Sequence, residues 1–152
     1  MNLENEKKTN PEESRPVFPK RAVITAGMPY GNKELHFGHI GGVFVHADMF
    51  ARFLRDRIGK ENVLFISGTD CYGSPIVAHY MQMVRDGEFS GTIEEFVTMN
   101  HQKQKEVLDA YQIGIDLFAA SGLGRAAEIH RQVSGEVIQK LYENGHLIKM
   151  TT

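Results

Sequence analysis

Apolar residues fall along this chain in two kinds of pattern, short unbroken runs and spaced stripes, and the two predict different elements. Arg21–Met28, RAVITAGM, is rich in β-branched residues and runs into glycine and proline, the pattern of a buried strand. Pro29 to Phe37 has no period and reads as an irregular turn. Ile40, Val43, Phe44, Ala47, Ala51, Leu54 and Ile58 then recur at helical spacing, with Arg52, Arg55 and Arg57 left for the wet side. Gly59 fits the C-terminal cap of that helix. Asn62–Ser67, NVLFIS, is a second continuous run of strand length. Strand, loop, helix, strand is a βαβ unit, which predicts a parallel sheet with a right-handed crossover.

The remainder reads mostly as helix. Ser74 to Asp86 carries Pro75 in its first turn. Thr92-Ile93-Glu94-Glu95 is a capping box, opening a helix to about Ile113 whose apolar face is Ile93, Phe96, Val97, Val107, Leu108 and Tyr111. A last helix spans about Arg125 to Asn144, with Gly145 just beyond it.

Composition narrows the class. A length of 152 residues, 41% hydrophobic and 24% charged, suits one soluble domain with a real core. A net charge of −2 argues against a dedicated nucleic-acid clamp, which needs clustered Lys and Arg. Cys71 is the only cysteine, so there is neither a disulfide framework nor a cysteine-based zinc knuckle, and a reducing cytoplasm is the expected compartment. No apolar run approaches membrane-spanning length, so no membrane partner is expected. Residues 1–20 mix both charge signs without an apolar stretch and read as a flexible polar tail.

The chemistry concentrates in two loops. His36 and His39 stand where the first helix begins, at a spacing that lets both rings face one way. Gly38 between them removes a side chain, so a flat group can approach the backbone. Free N–H groups and the helix dipole favour an anion there, and the carboxyl end of a parallel strand is where open α/β sheets bind ligands. Together these features favour an ATP-like ligand whose phosphate oxygens the histidines would touch. Two other readings stay open: an incidental glycine-rich loop, and a metal site with Asp70 or Cys71 as third ligand. His46, His79, His101, His130 and His146 read as surface or satisfied core residues. The second loop, Ser67–Pro75, SGTDCYGSP, follows the second strand. Asp70 there can hold an ammonium group, such as a substrate α-amine, or can serve only as a local turn residue.

These stretches together resemble the class I aminoacyl-tRNA synthetases, most closely the methionyl-tRNA synthetase family. His36-Phe37-Gly38-His39 is similar to the class signature His-x-Gly-His, and ITAGMPYGNKELHFGHIGG to the family's strand ending in Ala-Leu-Pro-Tyr-Ala-Asn-Gly before it. LFISGTDCYGSPI resembles the family's Gly-Thr-Asp-Glu-His-Gly-x-Pro-Ile, and LYENGHLIK its Leu-x-Glu-Asn-Gly-(Tyr or Phe)-Ile-x-Lys. The resemblance runs from about Arg21 to the last residue.

It implies an α/β fold, a Rossmann-like (HUP-type) parallel sheet with flanking helices, of which residues 21–152 would be the N-terminal part. It implies joining of methionine, or a similar amino acid, to ATP with Mg2+, followed by transfer to tRNA through parts outside these residues. Carried over by position, His36 and His39 would be catalytic and contact ATP phosphates. Gly38 would admit the nucleotide, and Tyr30 would line both the ATP and amino-acid pockets. Met28, through its backbone, and Asp70 would hold the methionine amine. No zinc site is expected in this segment.

The chain departs from the family at Cys71-Tyr72, where Glu-His is usual, and at Met28, where leucine is usual. The family's second nucleotide-fold half and its Lys-Met-Ser-Lys-Ser loop are expected beyond Thr152; the terminal Lys149–Thr152, KMTT, is not that loop. The chain is therefore expected to be inactive alone and open to self-association. The alternatives are a truncated paralogue that binds nucleotide or amino acid without catalysis, and a small nucleotidyltransferase.

Overall fold

A computed structural model describes residues 17–150. Of the expected tail, residues 1–16 lie outside the described residues. Phe18 packs edge-on against Phe53, with ring centroids 5.8 Å apart.

Three parallel strands form one sheet in the order β1 (Ala22–Thr25), β2 (Val63–Thr69), β3 (Leu117–Ala120). Ala22 pairs with Val63 and Thr25 with Ile66 on one side of β2; Ile66 pairs with Leu117 and Thr69 with Ala120 on the other. The sequence pattern predicts only two strands, and β3 is the correction. Its Leu-Phe-Ala-Ala run is short and partly made of good helix formers, so periodicity alone does not separate it from helix. Gly114 and Gly122, which bracket it, are the signal that could have done so.

Between β1 and β2 one helical segment runs as α1 (Phe37–His39), a π-helical stretch Ile40–Phe44, and α2 (Val45–Ile58). Gly59 closes it with φ +92°, a backbone conformation that favours glycine. Ile40, Phe44, Ala51 and Leu54 pack on Ala26, Val63, Phe65 and Leu108, giving the main core. Phe44 and Phe65 are fully buried, which stabilises the fold by about 2 kcal/mol each. The other face of the sheet is open, with Val23 62% and Leu64 45% exposed, so β1 is half-covered rather than the buried strand its sequence predicts.

Three helices follow β2 and β3. α3 (Ser74–Arg85) starts at Gly73 with Pro75 in its first turn. α4 (Ile93–Ala110) has the expected capping box: Thr92 Oγ1 accepts from Glu95 N–H, and Glu95 Oε2 accepts from Thr92 N–H. It ends three residues before the predicted Ile113, where Gln112 adopts φ +54° and the chain turns toward β3. Ile76 of α3 meets Phe96 and Val97 of α4 in a second, smaller core. α5 (Gly124–Glu143) leads away from β3 and buries Ala127, leaving Ile129, Val133, Val137 and Ile138 about half exposed.

Arg55 is a further correction, because it is not on the wet side. Its guanidinium donates to Gly114 O and pairs with Asp116 at 2.7 Å, tying α2 to the approach of β3. Asp116 also accepts from Phe65 N–H at 2.8 Å, and buried Asp48 accepts from Gly114 N–H. No helix among the described residues is long and apolar enough to cross a membrane.

Candidate functional site

β1 and β2 run parallel, so their carboxyl ends open on the same edge of the sheet. The chain leaving β1 is drawn back to β2 by an isolated parallel bridge between Tyr30 and Asp70. Asp70 N–H donates to Pro29 O at 2.8 Å, and Gly31 N–H donates to Asp70 O at 2.7 Å. This pairing leaves no room for a side chain at position 31: a Cβ there would stand 2.9 Å from Val97 Cγ1 and 3.1 Å from Thr69 Cγ2. Tyr30 and Asp70, far apart in sequence, thus stand side by side, while Met28 reaches past Gly68 and remains about half exposed. Asp70 Oδ1 accepts from Tyr72 N–H at 3.0 Å, which orients the carboxylate.

His36 and His39 form the second group, at the helix start. His36 is the N-cap: its Nδ1 accepts from Gly38 N–H at 3.1 Å, and its own N–H donates to His39 Nδ1 at 3.2 Å. A histidine-based capping box therefore takes the place of the usual Ser and Glu. A ring nitrogen that accepts a hydrogen bond carries no proton, so both imidazoles are neutral and protonated at Nε2. Their centroids are 3.8 Å apart, and two charged rings would repel at that distance. Burial, then the neighbouring His36 and Lys33, hold His39 below the ordinary histidine range. Gly38 has a reason of its own in this turn. A Cβ there would lie 2.9 Å from His36 Cε1, so the missing side chain makes room for the capping ring.

The two groups are neighbours on one edge but are not bonded to each other. Among the described residues no hydrogen bond joins either imidazole to Asp70 or Cys71, and no group of three or more His, Cys, Asp or Glu side chains is placed to hold a metal ion. Cys71 faces the other way. Its thiol donates weakly to Thr69 O, and burial raises its pKa, which keeps it protonated and a poor nucleophile. It lines, with Tyr72, Ile76, Val97 and Leu123, a mainly apolar cavity of about 280 Å³.

Beneath the site lies a buried polar cluster that the apolar pattern does not predict. Thr69, His101 and Gln104 meet at the end of β2. Gln104 is fully buried, and its Nε2 donates to Tyr30 O and Lys33 O at 2.9 Å each. His101, half-buried, stacks on Phe118 with parallel rings and so is a satisfied core residue, as expected. The sequence does hold a trace of this cluster. The inward stripe of α4 runs Phe96, Asn100, Gln104, Leu108 at four-residue spacing, with two amides where apolar residues would complete the pattern.

Residues 22–152 match the family described as tRNA synthetases class I (M). A methionine–tRNA ligase of Cytophaga hutchinsonii is 37% identical over 134 residues, 88% of this chain and 18% of that relative. Methionine–tRNA ligases of Pyrococcus abyssi, 36% identical, and Bacteroides fragilis, 32% identical, align over 87% and 88% of the chain and 17% and 18% of their own lengths. The chain thus spans less than a fifth of the length of the curated relatives it matches.

Proposed function

This chain belongs to the tRNA synthetases class I (M), and from that membership we propose that it carries the ATP-facing and amine-facing parts of a site that activates methionine as its adenylate for transfer to tRNA. The observation that carries this reading is the pair of neutral imidazoles at a helix start, each with Nδ1 engaged and Nε2–H left to donate. Two such donors, with the N-terminal dipole behind them, suit the oxygens of a triphosphate as charge develops on it. ATP enters as substrate with its Mg2+.

Tyr30 and Asp70, joined by the strand-end bridge, make the amine-facing part. The Asp70 carboxylate, oriented through Oδ1, accepts from the substrate ammonium, and the backbone at Met28 lies on the same edge. Residues 21–152 are the N-terminal part of the catalytic domain, working in a cytoplasmic setting. tRNA is bound by parts of the longer protein beyond these residues.

The test uses this chain and imidazole-detected NMR. Adding ATP with Mg2+ should shift the Nε2–H signals of His36 and His39, and His39→Ala should weaken ATP binding by about tenfold while leaving methionine binding unchanged. ATP that leaves both imidazole signals unmoved at saturation would overturn the phosphate-contact role.

A further inference from the structure

We propose that Gln104 is the positioning residue that sets the histidine turn against the Asp70 strand end. The chain from Ala26 to Leu35 joins β1 to His36, and it contains no regular element beyond the Tyr30 bridge. A segment of that kind needs side-chain bonds to fix its backbone carbonyls.

Gln104 supplies two of them from α4, 71 and 74 residues away in sequence, on either side of the bond that His79 Nδ1 of α3 donates to Asn32 O at 2.6 Å. Both hydrogens of its Nε2 are used, one on Tyr30 O and one on Lys33 O, which straddle the turn that leads to His36. Its Oε1 accepts from Thr69 Oγ1–H at 2.7 Å. Because the Thr69 proton goes to Gln104, the 2.7 Å contact between Thr69 Oγ1 and His101 Nδ1 is donated by the imidazole, so His101 carries its proton on Nδ1. The direction of every bond in the cluster is thereby fixed, and the amide cannot flip without leaving two carbonyls unpaired.

Thr69 immediately precedes Asp70 and is fully buried. One side chain therefore connects the strand end that orients the amine-facing carboxylate with the loop that delivers the phosphate-facing histidines. A methionine or leucine of similar volume would fill the same space and continue the apolar stripe of α4, but could hold neither carbonyl. The amide at this position serves placement of the loop, where an apolar side chain would serve packing equally well.

The inference rests on the proposed function only for the identity of the ligands, and its test reads the turn directly. In the unsubstituted chain, imidazole nitrogen spectra should show His36 and His39 with an unprotonated, accepting Nδ1. Gln104→Met should move both rings toward the mixed tautomers of free histidine and weaken ATP binding, while the amide spectrum of α2 and β2 stays folded. Gln104→Glu, which keeps shape and loses both donors, should behave alike. Thr69→Val, which removes only the group that orients Oε1, should give a smaller change in the same direction.

Unchanged imidazole signatures in folded Gln104→Met would overturn the proposal. So would global unfolding of all three variants, which would show that the amide serves the whole fold. If the unsubstituted chain binds neither ATP nor methionine, the functional reading fails, and the imidazole signatures still decide the role of Gln104.

Discussion

At the histidine turn the side-chain bonds reach two or three residues along the chain; at the end of β2 the Cys71 thiol and the Asp70 carboxylate also bond locally, but the bonds of Ser67 and Thr69 and that of the Cys71 N–H reach 41, 32, 35 and 50 residues. The two regions lie on one edge of one sheet and were shaped by different constraints. The turn is a local motif that its own residues can nearly specify: a capping ring, a glycine that gives it room, and a second ring that returns the bond. The strand end exists only when β3 and α4 are already in place. A local motif of this kind can be read from a few letters, while the loop that leads to it is held by Gln104 from a distant helix.

Breaking the non-local side should therefore cost the most. Gly68 pairs with Ala119, and a Cβ at position 68 would run into the Ala119 carbonyl oxygen. Gly68→Val should push β3 off β2 and destabilise the chain by at least about 3 kcal/mol in urea unfolding. A loss below about 1 kcal/mol would show that β3 is a loosely held edge.

Asp116→Ala is the next step down. It removes the acceptor of Phe65 N–H and the partner of Arg55, and should cost about 2 kcal/mol by the same measurement. Retention of full stability would mean that water replaces both bonds without penalty.

The smallest effect should be on the local side, and it is one of pH. The folded chain holds His39 below the ordinary histidine value of about 6.5, so the unfolded state binds the proton more readily. Stability from this group is complete above about pH 6.5 and is lost as pH falls through the lowered folded value. Melting temperature should drop on acidification, and His39→Ala should flatten that part of the profile while lowering the neutral-pH stability by about 1 kcal/mol through loss of the capping bond. His101, which burial also holds below its ordinary value, should keep some of the slope. A slope identical with and without His39 would break the contrast between the two regions.

The same division explains what the sequence makes legible. The βαβ unit, the Gly59 cap and the Thr92 capping box follow from residues within a turn or two of each other. His36, Gly38 and His39 stand out as candidates the same way, Asp70 from its place after a strand, and Tyr30 only through the family resemblance. β3 is harder, because four residues without a period become a strand only by pairing with Gly68 and its neighbours. Arg55 looks solvated in a helical pattern and becomes half-enclosed only when Gly114 and Asp116 arrive over it. Gln104 interrupts an apolar stripe, and nothing near it in sequence says which carbonyls it will meet.

The π-helical stretch Ile40–Phe44 sets the phase of everything on its N-terminal side. A π turn holds about one residue more than an α turn, so the stretch carries one residue of slack between the capping rings and the buried stripe of α2. Removing Gly41 or Gly42 would let the segment rewind as plain α-helix with the rings kept near their present phase, whereas removing one residue from the regular turns of α2 would swing them by about 100° around the axis. Tolerance to a change of length thus differs along one helical segment: a one-codon deletion at the two glycines would be absorbed by the rewinding, while the same deletion a turn later, in α2, would turn an unchanged histidine turn away from the sheet edge it serves.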